Sequence, residues 1–233
     1  GCDRAVLPKN NLSLVFAFFM SSWFNIMTQT IQASIIKIDE LELRFNLKEI
    51  IDNQFFPEWQ ENLQKISEWE KESLDRLKSG YLNLLKKPPF LENSVRMAVL
   101  HPLLFIAGFY LFPFDVKPEK SVTISLEDED GLIIEGRIDA LILQDQFWLL
   151  AIESKRAGIS LEAGIAQLLA YMLGTPNPEK PIFGMLTNGS HFLFAKLVKT
   201  PTPQYALSDE FVLRKRENEL YQVLSILKRL ASY

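Results

Sequence analysis

The sequence predicts an α+β protein, in which helices pack on a mixed β-sheet that has both parallel and antiparallel strands. First, apolar residues recur at helical spacing through much of the segment 38–109. Second, two apolar runs, 131–143 and 147–156, are separated by only three residues and predict an antiparallel hairpin. Third, the strand 147–156, the helix 160–173 and the strand 181–187 predict a βαβ unit with parallel strands.

Size and composition favour one compact domain. The chain has 233 residues, of which 48% are hydrophobic and 17 are Phe, enough for a large core. Two smaller domains remain an alternative. The single cysteine, Cys2, excludes an internal disulfide and indicates a reducing compartment, so we expect a cytoplasmic protein. One Cys with His101 and His191 does not predict a zinc site.

The net charge of −4 is unfavourable for nucleic-acid binding, because phosphate contacts come from Lys and Arg. A local basic surface remains an alternative in the C-terminal third, although an ordinary solvated surface is the simpler interpretation. Its cations are Lys180, Lys196, Lys199, Arg214, Lys215 and Arg216.

The N-terminal segment contains an apolar run, Leu12 to Phe24, that is shorter than the ~20 residues a membrane-spanning helix needs. Ser21, Ser22 and Asn25 interrupt it further. A membrane anchor over residues 12–26 is therefore the least favoured interpretation, and we expect no stable membrane association.

In the first half of the chain, Ile38 to Phe45 predicts a short helix, and Glu58 to Leu85 predicts one long helix or two, with Gly80 as a weak point. Lys87-Pro88-Pro89 would end that region. Glu92 to Phe109 predicts an apolar helix kinked at Pro102, and Pro113 and Pro118 predict a linker.

In the second half, Ser121 to Leu126 predicts a strand, followed by the hairpin at 131–156 and the helix at 160–173. Pro181 to Thr187 and His191 to Lys199 predict a second hairpin turned at Asn188-Gly189. That turn is also a candidate for a phosphate contact. Glu210 to Leu230 predicts a closing amphipathic helix.

Charged residues on the first hairpin provide the main functional signal. Folding about the Gln144–Gln146 turn would place Asp139 near Ala151 and Ile152. Glu153 and Lys155 share one strand face, which the Asp139 side chain can approach from the neighbouring strand. Two carboxylates can hold Mg²⁺, and an ammonium can stabilise developing charge. The alternative is a weak surface ion pair at an exposed strand end.

The following helix adds a polar pair. Gln167 and Tyr171 are four residues apart and therefore lie on one helix face, near the strand end that carries Lys155. The alternative is that Tyr171 is half-buried and Gln167 simply solvated.

Together these residues resemble the PD-(D/E)XK nuclease superfamily. Asp139 matches its motif Asp, Glu153-Ser154-Lys155 its (D/E)-x-K element, and Gln167 with Tyr171 the Q-x-x-x-Y motif of its RecB-like branch. Ile138 stands where the superfamily name has Pro, a position that varies. Glu92 is a match for the early helical Glu. The resemblance is to the N-terminal nuclease domain of type I restriction R subunits, in the cyanobacterial stand-alone form.

The resemblance implies a restriction-endonuclease-like αβββαβ core and a Mg²⁺- or Mn²⁺-dependent DNA endonuclease. Asp139 and Glu153 would hold the metal, Lys155 would assist the water, and Gln167 and Tyr171 would position the water or the scissile strand. DNA is the implied partner, with restriction or repair subunits as further candidates; the oligomeric state stays open, a homodimer included. A catalytically inactive nuclease-fold module that binds nucleic acid or protein is the alternative function.

The chain has no Walker-type Gly-x-x-x-x-Gly-Lys, so it has no ATP-driven motor of the R-subunit kind. We expect residues 27–112 to be a helical region and 113–233 the nuclease core with its closing helix, together forming one domain. Because the resemblance begins near Met27, we expect residues 1–26 to be an extension, either foreign to the protein or upstream of its natural start.

Overall fold

The structure is a computed structural model that describes residues 30–87, 91–125 and 132–233. The predicted extension 1–26, Pro88, Pro89, Leu126 and Gly131 lie outside the described residues. In the described part, nine strands form one sheet, ordered β1-β4-β5-β6-β7-β8-β2, with β3 also paired to β4 and β9 to β7. The strands are β1 Thr30–Gln32, β2 Lys48–Glu49, β3 Phe114–Ser125, β4 Ile133–Gln144, β5 Phe147–Ser154, β6 Ile182–Thr187, β7 His191–Val198, β8 Gln204–Leu207 and β9 Phe211–Val212.

Helices cover both faces of this sheet. They are α1 Ile38–Phe45, α2 Glu68–Leu84, α3 Glu92–Val95, α4 His101–Ile106, α5 Glu162–Leu173 and α6 Leu220–Leu230. A π-helical turn, Arg96–Leu100, joins α3 to α4, and short 3-10 helices occupy Ala33–Ile35 and Pro57–Trp59. Among the described residues, none of the helices combines the length and the apolar composition that crossing a bilayer requires.

Two hydrophobic cores lie on opposite faces of the sheet. Ten consecutive residues of α5, Gly164 to Leu173, are buried, and their hydrophobic side chains form the α5 core with Leu41 of α1. The α6 core contains buried residues of α2, α4 and α6 together with the aromatic side chains of β6 and β7, such as Phe183 and Phe194. The α5 helix has apolar residues all round because it is buried on nearly every side.

The ribbon formed by β3 and β4 passes from one core to the other. In one half of the ribbon, Val116 and Ala140 pack with the α6 core, whereas in the other half Val122 and Ile138 pack with the α5 core. In a regular pair of strands, all four side chains would lie on the same face. The change occurs at Glu119, whose φ of 52° lies in the left-handed region, and at the neighbouring Asp139. A strongly twisted two-stranded ribbon can serve two faces in this way.

The predicted α+β class with a mixed sheet is confirmed, and so is the core order of helix, three strands, helix and strand. β5 and β6 are parallel on either side of α5, as predicted. The helix Ile38–Phe45 and both hairpins are also observed.

Two predicted helical segments in the first half of the chain differ. The segment from Glu58 to Leu85 is helical continuously only from Glu68, because Ser67 and Glu70 form a capping box that starts α2 there. Gly80 does not interrupt α2. The irregularity expected at Pro102 lies in the preceding turn, where the His101 N–H donates to the Arg96 carbonyl in a π-type bond.

The linker predicted at Pro113 and Pro118 is wrong, since β3 begins at Phe114. Pro118 is tolerated because, among the strands that the structure describes, β3 pairs with β4 alone. The predicted helix from Glu210 begins only at Leu220, and its first part forms β9 and a loop. The Val212 N–H there donates to the Glu219 side chain and the Leu213 N–H to the Ser190 carbonyl, so both are satisfied outside a helix. The short strands β1, β2 and β8 were not predicted.

Candidate active site

The β4–β5 hairpin sets the position of Asp139. Its turn has two residues, Asp145 and Gln146, both with positive φ, rather than the predicted three. A bulge then inserts one extra residue in β5, and Ala140 pairs with Ile152. Asp139 consequently lies beside Glu153, one residue beyond that pair. The predicted position near Ile152 agrees with the pairing of Ile152 with Ala140, whereas Ala151 pairs with Leu141, two residues from Asp139.

Asp139 is held by contacts on both of its carboxylate oxygens. Its Oδ2 accepts hydrogen bonds from the Ser154 backbone N–H at 2.7 Å and from the Ser154 Oγ at 2.5 Å. Its Oδ1 lies 3.2 Å from Nη1 of Arg96. The strand end therefore fixes one oxygen, and a cation from the helical layer neutralises the other.

Arg96 connects Asp139 to two further carboxylates. Its Nη2 donates to Oε1 of Glu92 at 2.9 Å, and its Nη1 lies 3.6 Å from Oε1 of Glu119. Arg96 opens the π-helical turn, and such turns often occur at functional sites because they change the helix face that side chains occupy. Glu92 thus reaches the site through Arg96.

Glu153 is the most deeply buried carboxylate of the site. It is 3% exposed, and Nζ of Lys155 donates to its Oε1 at 2.9 Å. Its Oε2 is buried without a hydrogen-bond partner among the described residues. Burial raises the pKa of Glu153 to about 8, with a further increase from the nearby Asp139 charge that Lys155 partly offsets.

A hydrogen-bonded chain links Lys155 to α5. Its Nζ donates to Oε1 of Gln167, and Nε2 of Gln167 donates to the Tyr171 hydroxyl at 2.7 Å. Tyr171 is fully buried, and burial raises its pKa to about 12, so it remains neutral at physiological pH. Gly136 of β4 allows this packing, because a Cβ there would lie 2.6 Å from the tyrosine ring.

The residues fit a divalent cation in their chemistry but leave it incompletely ligated. The Glu153 Oε2 atom is a buried acceptor that has no hydrogen-bond partner in the part of the chain the structure describes, and a hard cation would satisfy such an atom. Asp139 offers Oδ1 if Arg96 moves aside. Within the described ranges, no group of three or more His, Cys, Asp or Glu side chains is arranged to hold a metal.

The structure brings together five of the predicted residues: Asp139, Glu153, Lys155, Gln167 and Tyr171. Neither alternative interpretation holds, since Lys155 is largely buried and Gln167 is not solvated. Sequence reasoning missed Arg96 and Glu119. The spacing of Glu92 and Arg96, four residues apart on a helix, is the one local signal that could have indicated the first.

No protein-family model and no curated protein matches the chain. Among solved structures, it is similar to a cryo-EM structure of a DrdV–DNA complex, with a TM-score of 0.44 and 14% sequence identity. The similarity covers 70% of this chain and 14% of that one, so the chain spans about one seventh of its relative's length.

Proposed function

We propose that the chain is a metal-dependent nuclease that hydrolyses phosphodiester bonds in DNA. The observation that carries the proposal is the connected set Asp139, Glu153, Lys155, Gln167 and Tyr171 at the end of β5. Two carboxylates and an ammonium that lie together in a largely water-excluded strand end cost folding free energy. Such a cluster with a strongly perturbed carboxyl pKa is typical of a functional site.

Asp139 and Glu153 would hold Mg²⁺ or Mn²⁺. When bound, the metal would polarise a phosphoryl oxygen and lower the pKa of a coordinated water. The Glu153 carboxyl must lose its proton to act as a ligand, so its raised pKa makes metal affinity depend on pH.

Lys155 would place its ammonium where negative charge develops on the reacting phosphate. Gln167 and Tyr171 act through it. Because the Gln167 amide donates to the Tyr171 hydroxyl, its oxygen is directed towards Lys155 and holds the ammonium in place. These contacts support a role for Gln167 and Tyr171 in positioning Lys155, rather than the water or the scissile strand.

The proposal is tested with the full chain, Mn²⁺ or Mg²⁺, and labelled single-stranded, duplex and branched DNA, with RNA as a further substrate. We expect cleavage of DNA that EDTA abolishes. Isothermal titration should show Mn²⁺ binding that Asp139→Asn abolishes, with Asp115→Asn on β3 as the control that retains it. Absence of cleavage on every substrate would contradict the proposal.

A specific observation favours the alternative, a non-catalytic module that binds nucleic acid or a protein. Arg96 already neutralises Asp139, and Lys155 already neutralises Glu153. In that case the ion pairs would be structural. Nucleic-acid binding without cleavage, and without a calorimetric signal for Mn²⁺, would support this second function.

A further inference from the structure

A cleft of about 460 Å³ opens beside the candidate active site, at the same edge of the sheet. One wall is the loop 157–161, whose first residue, Ala157, follows Lys155 by two positions and so has its Cα within about 7 Å of the Lys155 Cα. The other wall consists of the Asn188–His191 turn with Glu210 and Arg214. The cleft has the size of a small-ligand site.

The two walls are rigidly connected. The Lys155 backbone N–H donates to the Thr187 carbonyl at 2.7 Å, and Nδ2 of Asn188 donates to the Ile159 carbonyl at 2.7 Å. Oδ1 of Asn188 accepts from the backbone N–H groups of Ser190 and His191. The cleft and Lys155 are therefore fixed relative to each other.

Most cations of the C-terminal third are engaged elsewhere. Lys196 pairs with Glu58, Lys199 donates to the carbonyls of Leu173 and Thr175, and Lys180 lies over the Phe147 ring. Lys215 pairs with Glu219. Arg214 and Arg216 are exposed, and neither forms an ion pair with any residue that the structure describes. Of these two, only Arg214 lines the cleft.

We infer that this cleft binds a backbone phosphate of the nucleic-acid strand next to the scissile bond, with Arg214 as its principal contact. The inference rests on the proposed function for the identity of the strand. A guanidinium is always charged and offers a fork of donors that matches phosphate oxygens. His191 lines the same cleft, and its Nδ1 lies 3.3 Å from Oδ1 of Asn188. Gly158 also lines the cleft, and a Cβ added there would meet open space.

Glu210 places a charge of opposite sign to Arg214 in the same cleft. Its exposed carboxylate lines the same cleft and would repel a phosphate bound there. Removing the Glu210 charge should tighten strand binding, whereas removing the Arg214 charge should weaken it.

The test measures the Kd of fluorescein-labelled single-stranded and duplex oligonucleotides by anisotropy. The full chain is used in Ca²⁺, with gels to verify that the strands stay intact. Arg214→Gln should raise Kd on the order of tenfold and lower the slope of log Kd against log salt by about 0.7–0.9, the value of one phosphate contact. Arg216→Gln, the same change two residues away and outside the cleft, should alter Kd less than twofold. Glu210→Gln should lower Kd.

Equal effects of Arg214→Gln and Arg216→Gln, or weaker binding by Glu210→Gln, would overturn the cleft as a phosphate site while leaving the proposed nuclease activity standing. Dependence on Arg214 in a chain that cleaves no substrate would support the cleft and remove the catalytic proposal. A wild-type chain that binds neither oligonucleotide would overturn both. Thermal melting verifies that all three variants are folded, which their exposed positions favour.

Discussion

Two buried Glu–Lys pairs of nearly equal geometry lie in different parts of the molecule. Glu153 and Lys155 meet at 2.9 Å in the candidate active site, and Glu58 and Lys196 meet at 2.7 Å between the 3-10 helix Pro57–Trp59 and β7. Both glutamates are almost fully buried, and each has an Oε2 atom without a partner among the described residues. The pair itself therefore does not distinguish a site from a structural contact.

The surroundings make the difference. The charges of Asp139 and Glu92 lie near Glu153. Its partner Lys155 donates to the side-chain amide of Gln167 on α5. Lys196 instead faces an aromatic ring, with its Nζ 5.6 Å from the centroid of Phe55. Repeated like charges in one buried place cost free energy that a purely structural pair avoids.

The largest expected effect concerns the structural pair. Lys196→Ala leaves the Glu58 carboxylate buried and uncompensated, so we expect the free energy of unfolding to fall by about 3–5 kcal/mol in urea denaturation. The double variant Glu58→Leu with Lys196→Met should recover most of that loss, because it removes both charges. A loss below about 1 kcal/mol in the single variant would mean that the two pairs do not differ as described.

Lys155→Ala should affect activity more than stability, whereas Lys196→Ala should affect stability. We expect DNA cleavage to fall by roughly 10²-fold or more, the scale of losing one electrostatic stabiliser. Because Lys155 is largely buried beside Glu153, stability should also fall. Because burial raises the pKa of Glu153 to about 8, Glu153 can take up a proton once Lys155 is removed, which limits the stability loss. Lys117→Ala, an exposed lysine of β3, is the control for both activity and stability.

Arg96→Gln examines the cation already present at Asp139. Its removal should tighten Mn²⁺ binding on the order of tenfold in isothermal titration, because the metal no longer competes with a guanidinium for Oδ1. Arg137→Gln is the matched control, since Arg137 also contacts Glu119, at 3.5 Å, but is not paired with Asp139. Equal Mn²⁺ affinities in the two variants would show that Arg96 does not occupy the cation position.

Glu153→Gln should change the pH dependence of the metal-free protein. The folded-state pKa of Glu153 is raised from 4.5 to about 8, so this carboxyl contributes stability that is fully present below pH 4.5. That contribution is lost as the pH rises to about 8. Between pH 7 and 8, this group should lower stability by at most about 1.4 kcal/mol, or roughly 3–5 °C in Tm. In EDTA, the variant should lack that slope. A wild-type Tm that is constant or rises over this range would contradict the raised pKa.

The parts of the fold that the sequence predicted depend on local patterns. The Ile38–Phe45 helix and the Asn188-Gly189 hairpin each have their signal within a few residues. The strand alternation in the first hairpin was sufficient to bring Asp139 and Glu153 to neighbouring positions. Its register was not predictable in detail, because the Asp145-Gln146 turn lacks the usual Asn or Gly and a bulge follows it.

What the sequence could not predict depends on distant contacts. Arg96 lies 43 positions before Asp139, and no local pattern connects them. The Glu210 to Leu230 segment has a helical pattern, but pairing with β7 and the Glu219 side chain satisfies its first backbone groups in another way. Tertiary structure overrides propensity in such segments.

The passage of the β3–β4 ribbon between the two cores has a consequence for how the site arises during folding. Asp139 stands at that passage, receives Arg96 from the α6 side, and adjoins Glu153, whose lysine partner is held by α5. A chain in which only one helical layer has docked would have either the carboxylate or its neighbours misplaced. The proposed cation binding at this site would therefore require completed assembly of both layers, and partly folded chains would be inactive.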